Sequence, residues 1–254
     1  MDTKMGASLD IEINDYERID DLNFKGLKII QNPNNFCFGM DAVLLSHFAK
    51  ARSGEKVVDL GTGTGIIPIL MSGRSEDTYF DAIEIEPTMA EMARRSVKLN
   101  ELEDRIKIIE ADLKESPNHL GTRKYQLVTT NPPYKKVGTG LVNPNHAKAI
   151  ARHEILCSLD DVLKAASKLL VRGGRLSMVH RPNRLWDILL GMRDYGLEPK
   201  KIRLVYPSLD KAPNMLLLEA VLGGKPHLSW LPPLIVYDAQ GDFTDELKEI
   251  YAGS

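Results

Sequence analysis

The chain of 254 residues has a net charge of −2, with 43% hydrophobic and 27% charged residues. This composition is typical of a globular protein with one main domain and excludes a disordered or collagen-like chain. Neither a run of about 20 apolar residues nor a signal-peptide pattern occurs, so we expect a cytoplasmic protein that does not bind membranes. Cys37 and Cys157 are too few for a disulfide framework or a zinc site, and we expect no bound metal.

The predicted elements begin with LKIIQNPNNFCFGMDAVLLSHFAK, whose first part predicts a short hairpin and whose second part predicts a helix over residues 41–50. We assign residues 1–54 to an N-terminal extension and residues 55–223 to the core. Residues 224–254 are expected to form a tail that packs on the core, with a short helix near residues 245–251.

Within the core, seven strands are predicted from short runs rich in β-branched and other apolar residues. In chain order they are EKVVDL, TYFDAIEI, RIKIIEAD, YQLVTTN, GRLSMVH, KIRLVYP and MLLLEAVL. Helical patterns separate several of them, in TGIIPILMSGR, PTMAEMARRSVKLN and SLDDVLKAASKLLVRGG. This alternation indicates a mostly parallel sheet covered on both faces. The last two strands have no full helix between them and predict a hairpin at one edge.

Two of these helices carry clear start signals. Pro87 suits the first position of its helix, because the missing N–H would have no partner there. Ser158 precedes the third helix as a predicted N-cap, and Asp161 is placed to complete a capping box.

The segment VVDLGTGTGIIPIL places Gly61, Gly63 and Gly65 between the first core strand and a helix. Glycines there let a ligand approach the main chain, and the helix N-terminus offers free N–H groups. A dinucleotide fingerprint requires glycine where Ile66 stands, and a P-loop requires a lysine that this turn lacks. The turn therefore predicts a ligand site of another kind.

The spacing from Asp59 to Gly65 resembles the first motif of class I S-adenosylmethionine-dependent methyltransferases. The resemblance extends to Glu84 and Asp112, which end the next two predicted strands. It implies S-adenosylmethionine as cofactor and a Rossmann-like α/β fold whose seven-stranded, mostly parallel sheet has an antiparallel edge strand. It also implies that Asp59 and the three glycines line the cofactor site, that Glu84 accepts hydrogen bonds from the ribose hydroxyls, and that Asp112 lies at the adenine ring.

The fourth strand leads into NPPY, residues 131–134. In methyltransferases this tetrapeptide resembles the signature of transfer to a planar nitrogen, either the exocyclic amine of adenine or the side-chain amide of glutamine. The lone pair of such a nitrogen is delocalised, so acceptors aimed at its hydrogens favour the reaction. The side-chain oxygen of Asn131 and the carbonyl of Pro132 are the predicted acceptors, and Tyr134 is predicted to stack on the planar group. Transfer to cytosine carbon 5 is excluded, because it needs a cysteine near this loop.

The charge pattern favours nucleic acid as the substrate. Residues 135–211 hold 15 Lys and Arg against 7 Asp and Glu, whereas the segments on either side are net acidic. Basic clusters of this kind often bind phosphate-rich partners. Lys135, Lys136 and Arg152 are the predicted RNA-binding residues, although a solvated basic face would give the same pattern.

The segment before the core resembles the entry segment of a bacterial family that methylates the exocyclic amine of an adenosine in valine tRNA, just 3′ of the anticodon. The matching residues are Gln31, Phe36, Phe38, Gly39, Asp41, Ala42, Leu44 and Leu45. The resemblance implies that Phe38, Gly39 and Asp41 form part of a lid over the cofactor. The stretch after NPPY and the closing segment are similar to the same family, so the likeness spans nearly the whole chain.

The sequence thus predicts an adenine-N6 methyltransferase that acts on RNA, with the tRNA anticodon loop as the expected substrate. A protein-glutamine methyltransferase would use the same chemistry, but such enzymes usually carry a separate helical domain that is not predicted here. A DNA adenine methyltransferase is less favoured, because no target-recognition domain is predicted. A non-enzymatic RNA-binding module would have no use for the predicted cofactor residues. The oligomeric state does not follow from the sequence.

If the basic segment holds RNA, replacing both Lys135 and Lys136 with Ala should weaken tRNA binding and flatten its dependence on salt, because fewer counterions are released. Filter binding over a series of salt concentrations measures both quantities. An unchanged salt slope would contradict the predicted role of these lysines.

Overall fold

The computed structural model describes residues 11–34, 37–132 and 157–252. The helices are α1 (Met40–Phe48), α2 (Ile66–Ser72), α3 (Pro87–Leu99), α4 (Ser116–Leu120), α5 (Leu159–Leu169), α6 (Leu185–Asp194) and α7 (Asp245–Ala252). The strands are β1 (Arg18–Asp21), β2 (Lys28–Gln31), β3 (Lys56–Leu60), β4 (Tyr79–Glu84), β5 (Ile106–Glu110), β6 (Tyr125–Thr130), β7 (Leu170–His180), β8 (Leu197–Tyr206), β9 (Met215–Leu222), β10 (Ser229–Trp230) and β11 (Leu234–Ile235). Within these ranges no helix is long and apolar enough to cross a membrane.

The central sheet has nine strands in the order β10-β8-β9-β7-β6-β3-β4-β5, with β11 also paired to β8. Strands β3 to β7 run parallel, and β9 is antiparallel to both of its neighbours. The predicted α/β fold, with its mostly parallel sheet and its hairpin at one edge, is confirmed. Within that hairpin, β9 is the inner strand and β8 lies outside it.

The prediction of seven strands was too low for this sheet, because β10 and β11 add to its edge along β8. Both come from the segment that was expected to be a tail, and each has only two residues. Such short strands carry no periodic pattern. The Leu-Pro-Pro stretch between them also predicts that no strand continues there, since proline has no N–H to donate.

Hydrophobic side chains cover both faces of the sheet. On β3, Val57 packs into the cluster beneath α1, α2 and α7, and Val58 packs into the cluster beneath α5 and α6. Successive residues of a strand point to opposite faces, so a strand that is buried on both sides needs an unbroken apolar run. This explains why the core strands are continuous runs of apolar residues in the sequence and do not alternate between apolar and polar residues.

The start signals are confirmed. Pro87 occupies the first turn of α3. The Ser158 hydroxyl accepts a hydrogen bond from the Asp161 N–H, and the Asp161 carboxylate accepts one from the Ser158 N–H, which completes the capping box of α5.

Three local predictions need correction. The hairpin before the core pairs β2 with β1, which lies upstream of the segment where we expected it. The third predicted helix ends at Leu169, and its last residues belong to β7. Helix α6 was not predicted, because only Ile188 and Met192 are buried along its length and the apolar stripe is too short to stand out.

Candidate active site

The glycine-rich turn joins the end of β3 to the start of α2. Gly61 and Gly65 have φ values of 72° and 87°, in the left-handed region that favours glycine. The N–H groups of Gly61 and Thr62 both donate to the Ile83 carbonyl of the neighbouring strand β4, at 2.9 Å. A Cβ placed at Gly61 would meet no atom within 4 Å. The turn is therefore fastened to the sheet and leaves open space in which a ligand can approach its main chain.

Glu84, the last residue of β4, lies beside this turn. Its carboxylate accepts hydrogen bonds from the Gly63 N–H at 2.8 Å and from the Glu86 N–H at 2.9 Å. The side chain is buried, and within the described part of the chain no salt bridge joins it to a cation. A carboxylate has about four acceptor positions, so two remain for hydroxyl donors. This arrangement fits the predicted contact with a ribose.

Two threonines at the end of β6 connect that strand to β3. Thr129 is paired in register with Asp59, and Thr130 with Leu60. The Thr129 hydroxyl donates to Asp59 Oδ1 at 2.7 Å, and the Thr130 hydroxyl donates to the Leu60 carbonyl at 3.0 Å. The sequence indicated these threonines only as strand-ending residues. They fix the start of NPPY relative to the glycine-rich turn.

Asp59 is fully buried, and its Oδ2 has no hydrogen-bond partner among the described residues. Burial raises the pKa of this carboxyl to about 6, although the hydrogen bond from Thr129 acts in the opposite direction. An unpaired buried oxygen is costly for the fold alone. A donor is available in the turn itself, because the Thr62 hydroxyl is also buried without a partner among the described residues and acts with Thr129 to lower the Asp59 pKa.

Asn131 and Pro132 follow β6 directly, so the structure places them at the carboxyl edge of the sheet, with Asp59 and Glu84 on the strands alongside. Asn131 is half-buried and Pro132 is buried. The other residues predicted for substrate binding, Tyr134, Lys135, Lys136 and Arg152, lie outside the described residues.

His180 ends β7 next to this site and was missed by the sequence analysis. The register pairs Thr130, the last residue of β6, with Met178, two residues before His180. Its Nδ1 accepts a hydrogen bond from the Arg181 N–H at 2.8 Å. Burial and the nearby Arg184 charge lower its pKa to about 4, so the ring is neutral at physiological pH. The only sequence signal was a histidine at the end of an apolar strand.

Asp112 lies two residues beyond the end of β5. Its carboxylate accepts a hydrogen bond from the Lys114 N–H at 2.9 Å, which caps a short 3-10 helix, and it forms a salt bridge with Lys114 Nζ at 3.1 Å. The structure thus gives this side chain a local role at the start of a loop. Its contact with an adenine ring stays a prediction.

The predicted lid residues meet at the start of α1. The Phe38 N–H donates to Oε1 of the buried Gln31 at 3.0 Å, Gly39 is the N-cap, and Asp41 lies in the first turn. A Cβ on Gly39 would come within 2.9 Å of an Asp41 carboxylate oxygen, so a larger residue there would displace the Asp41 side chain. Helix α1 packs against α2, which begins at the glycine-rich turn. The position of these residues over a cofactor stays a prediction.

A basic cavity lies at the other end of α1 and α2, away from the glycine-rich turn. Lys25, Lys50 and Arg74 line it, together with His47, whose pKa is lowered by burial to about 4. Within the described ranges, no group of three His, Cys, Asp or Glu side chains is placed to hold a metal ion. The candidate active site is the carboxyl edge formed by β3, β4 and β6, where Glu84 and Asn131 lie beside the glycine-rich turn.

The fold, with a glycine-rich turn and acidic side chains at the carboxyl edge of its parallel sheet, defines a class I S-adenosylmethionine-dependent methyltransferase. The methyltransferase small domain family matches residues 27–190. The chain belongs to this family, and the prediction of a methyltransferase is confirmed.

Among curated proteins, the chain is 30% identical to a tRNA1(Val) (adenine(37)-N6)-methyltransferase of Porphyromonas gingivalis, over 90% of this chain and 87% of that protein. It is 31% identical to the protein of the same name from Parabacteroides distasonis, over 84% of this chain and 90% of the relative. Nearly whole chains are therefore similar, and the resemblance predicted from the sequence is confirmed.

Solved structures show the same fold. A protein from Agrobacterium tumefaciens, named as a predicted O-methyltransferase, has a TM-score of 0.69 and 26% identity, and the match covers 84% of this chain and 95% of that one. TrmN from Thermus thermophilus has a TM-score of 0.53 and 19% identity, over 71% of this chain and 48% of that one. The second similarity concerns the fold alone.

The raised pKa of Asp59 predicts a pH-dependent stability. A carboxyl with a folded-state pKa above its unfolded value of 3.8 stabilises the fold in its protonated form, and this contribution is lost as the pH rises through about 6. Between pH values of about 4 and about 7, the wild type should lose up to about 3 kcal/mol of unfolding free energy relative to Asp59→Asn. Urea unfolding of both proteins across this range measures the difference, and a constant difference would contradict the assigned environment.

Proposed function

We propose that this protein transfers a methyl group from S-adenosylmethionine to the exocyclic amine of an adenine in RNA, and that the RNA is a tRNA methylated in its anticodon loop. The observation that carries the proposal is the position of Asn131 and Pro132, at the end of β6 and beside the strands that end in the glycine-rich turn and Glu84. The names of the similar proteins from Porphyromonas gingivalis and Parabacteroides distasonis support the choice of substrate.

The residues that would hold the cofactor are those at the carboxyl edge. Glu84 has acceptor positions for two ribose hydroxyls, and the turn has at Gly61 the open space that close approach requires. When bound, S-adenosylmethionine supplies an electrophilic methyl group on a positively charged sulfur. Asp59 joins β3 to β6 through Thr129. Asp59, Asp112, Phe38, Gly39 and Asp41 are proposed to complete the site.

Asn131 and Pro132 are proposed to bind the amine. An exocyclic amine is a weak nucleophile, because its lone pair is delocalised into the ring. If the Asn131 side-chain oxygen and the Pro132 carbonyl each accept one N–H, the nitrogen can pyramidalise and direct its lone pair at the methyl group. Preorganised acceptors of this kind act by orientation and electrostatics, so no covalent intermediate is needed. Tyr134 is proposed to stack on the base.

The same two acceptors would suit the amide of glutamine, so the choice of adenine rests on the similar proteins and on the charge of the chain. Residues 135–211 carry the excess of Lys and Arg that a phosphate backbone requires. An adenine in an anticodon loop must leave its stack to reach the site, and a single-stranded loop makes this cheaper than in a duplex.

The direct test is incubation with labelled S-adenosylmethionine and total tRNA from a strain that lacks this protein, followed by nucleoside mass analysis. We expect the label in N6-methyladenosine of a tRNA. Label in a release factor, with none in tRNA, would overturn the proposed substrate.

In the same assay, Asn131→Ala should reduce transfer at least a hundredfold, because it removes an acceptor that acts mainly in the transition state. Calorimetry should show S-adenosylmethionine binding within a factor of about three of the wild type. The matched control is Asn118→Ala, since Asn118 is exposed on α4 and its amide donates to the neighbouring Glu115. If Asn131→Ala lost cofactor binding and methyl transfer equally, this would contradict the proposal that Asn131 acts on the amine and not on the cofactor.

A further inference from the structure

The basic cavity is small and has no acidic side chain in its lining. Residues from the ends of α1 and α2 line it, and Lys25 in the β1–β2 turn completes the lining. Its volume is about 260 Å³, whereas sites for drug-sized ligands measure about 300–1,000 Å³. Among the described residues that line it, none is Asp or Glu. The cavity therefore suits a small anionic group better than a whole nucleotide.

The aromatic ring of Phe24 brings two of the cations together. The Lys25 Nζ lies 5.9 Å and the Arg74 Cζ 4.6 Å from the centre of this ring, whose face attracts cations. Phe24 is buried against Gly73, where an added Cβ would come within 2.7 Å of the ring. Lys25 itself has a φ of 51°, a left-handed conformation that is uncommon outside glycine. The fold thus fixes the positions of both residues at the cavity.

Carboxylates do not neutralise these cations. Within the described ranges, Lys25, Lys50 and Arg74 form no salt bridge. The Arg74 guanidinium donates to the Leu70 and Ile250 carbonyls, both at 3.1 Å, and to the Ser46 hydroxyl at 3.3 Å. These bonds use three of the five N–H groups of an arginine side chain, so two are left for a ligand.

Helix ends offset only part of the positive charge. The C-termini of α1, α2 and α7 meet at the cavity, since Arg74 follows α2 and bonds to the last turn of α7. Each C-terminus carries roughly half a negative charge, so together they offset about one and a half of the three positive charges of Lys25, Lys50 and Arg74. The cavity keeps a net positive charge.

The histidine in the lining is consistent with this positive charge. Burial, followed by the charges of Lys50, Arg74 and Arg203, lowers the pKa of His47 to about 4, and only Glu246 acts in the opposite direction. Arg203 and Glu246 are paired with each other. The pKa of Lys50 is lowered as well, by burial and by the charge of Arg74. The cations thus repel one another across the cavity, and a bound anion would relieve this repulsion.

The cavity lies at the far end of the helix that begins at the predicted lid. Helix α1 has nine residues and spans about 14 Å. The phosphates of one strand follow one another at about 3.4 Å in duplex DNA, so a strand of similar spacing covers this distance in about four nucleotides. A phosphate of an RNA that reaches Asn131 can therefore also reach the cavity, and a free phosphate ion can enter it.

We propose that this cavity binds a phosphate group, with Arg74, Lys50 and Lys25 as the residues that contact its oxygens. A phosphate presents oxygens in several directions, so three cations from separate elements can each contact one, whereas a carboxylate has only two oxygens. The site itself does not depend on the proposed function, and only its occupation by RNA rests on it.

Inorganic phosphate is the direct probe. Calorimetry of the wild type should show one phosphate bound per chain, with chloride at the same ionic strength as the reference. Lys25→Asn combined with Lys50→Gln should weaken this binding at least about tenfold, because two charge-assisted contacts are lost. Asparagine tolerates the left-handed backbone of residue 25, and Arg74 is kept because it also caps two helices.

The matched control is Lys98→Gln combined with Lys107→Gln, which removes two exposed lysines from α3 and β5. This variant should bind phosphate like the wild type. Filter binding with tRNA then identifies the source of the phosphate. If RNA occupies the cavity, the variant at Lys25 and Lys50 should bind tRNA more weakly, with a salt slope reduced by about one. If it binds tRNA like the wild type but has lost phosphate, the site stands and its occupant is a free phosphate.

A wild type that binds no phosphate, or equal phosphate binding in the wild type and in the variant at Lys25 and Lys50, would overturn the site. Phosphate binding without methylation of any tRNA would overturn the proposed function and leave the site. Urea unfolding checks that each variant is folded. If the double variant is not, Lys50→Gln alone replaces it, because the Lys50 ammonium forms no salt bridge in the described part of the chain.

Discussion

The hydrogen bond from the Thr129 hydroxyl to the Asp59 carboxylate, 2.7 Å long and excluded from solvent, joins the strands that carry the two halves of the site. On one side, β3 leads into the glycine-rich turn. On the other, β6 leads into Asn131. Because the strands are parallel and adjacent, both segments leave the sheet at the same edge, and the hydrogen bond keeps them in register. The burial that strengthens this contact also raises the Asp59 pKa, so the same constraint links the stability of the fold to the arrangement of the site.

The parts of the fold that sequence analysis predicted are those with strong local causes. Pro87 and the Ser158–Asp161 capping box mark helix starts through backbone chemistry within a few residues. The core strands are apolar on both faces and stand out as runs. What was missed depends on contacts between distant segments. The short strands β10 and β11 exist because β8 offers an open edge, and α6 has too few buried residues to show a helical period.

The residues of the candidate site also fall into those that the sequence predicted and those that it missed. The glycines were predicted from the residue types of the turn and Glu84 from the resemblance to methyltransferases, and the structure puts them side by side. Their contact with a cofactor stays a prediction. The connecting role of Thr129 and the position of His180 depend on strand register, which the sequence does not specify. For Asp112 the sequence predicted a contact with the cofactor. The structure adds a local role, because the Asp112 carboxylate also caps the short 3-10 helix that follows it. The chemistry of a planar amine leaves adenine and glutamine equivalent, so similarity to known proteins was needed to choose between them.

The central claim is that one edge of the sheet holds both the cofactor and the amine that receives the methyl group. A crystal structure with S-adenosylhomocysteine, the methyl-free product, tests it most directly. The account predicts the ribose hydroxyls on Glu84, the sulfur facing the side chain of Asn131, and the nucleoside beside the turn from Gly61 to Gly65. A nucleoside bound elsewhere, such as in the basic cavity beside His47 and Arg74, or a sulfur directed away from Asn131, would contradict it.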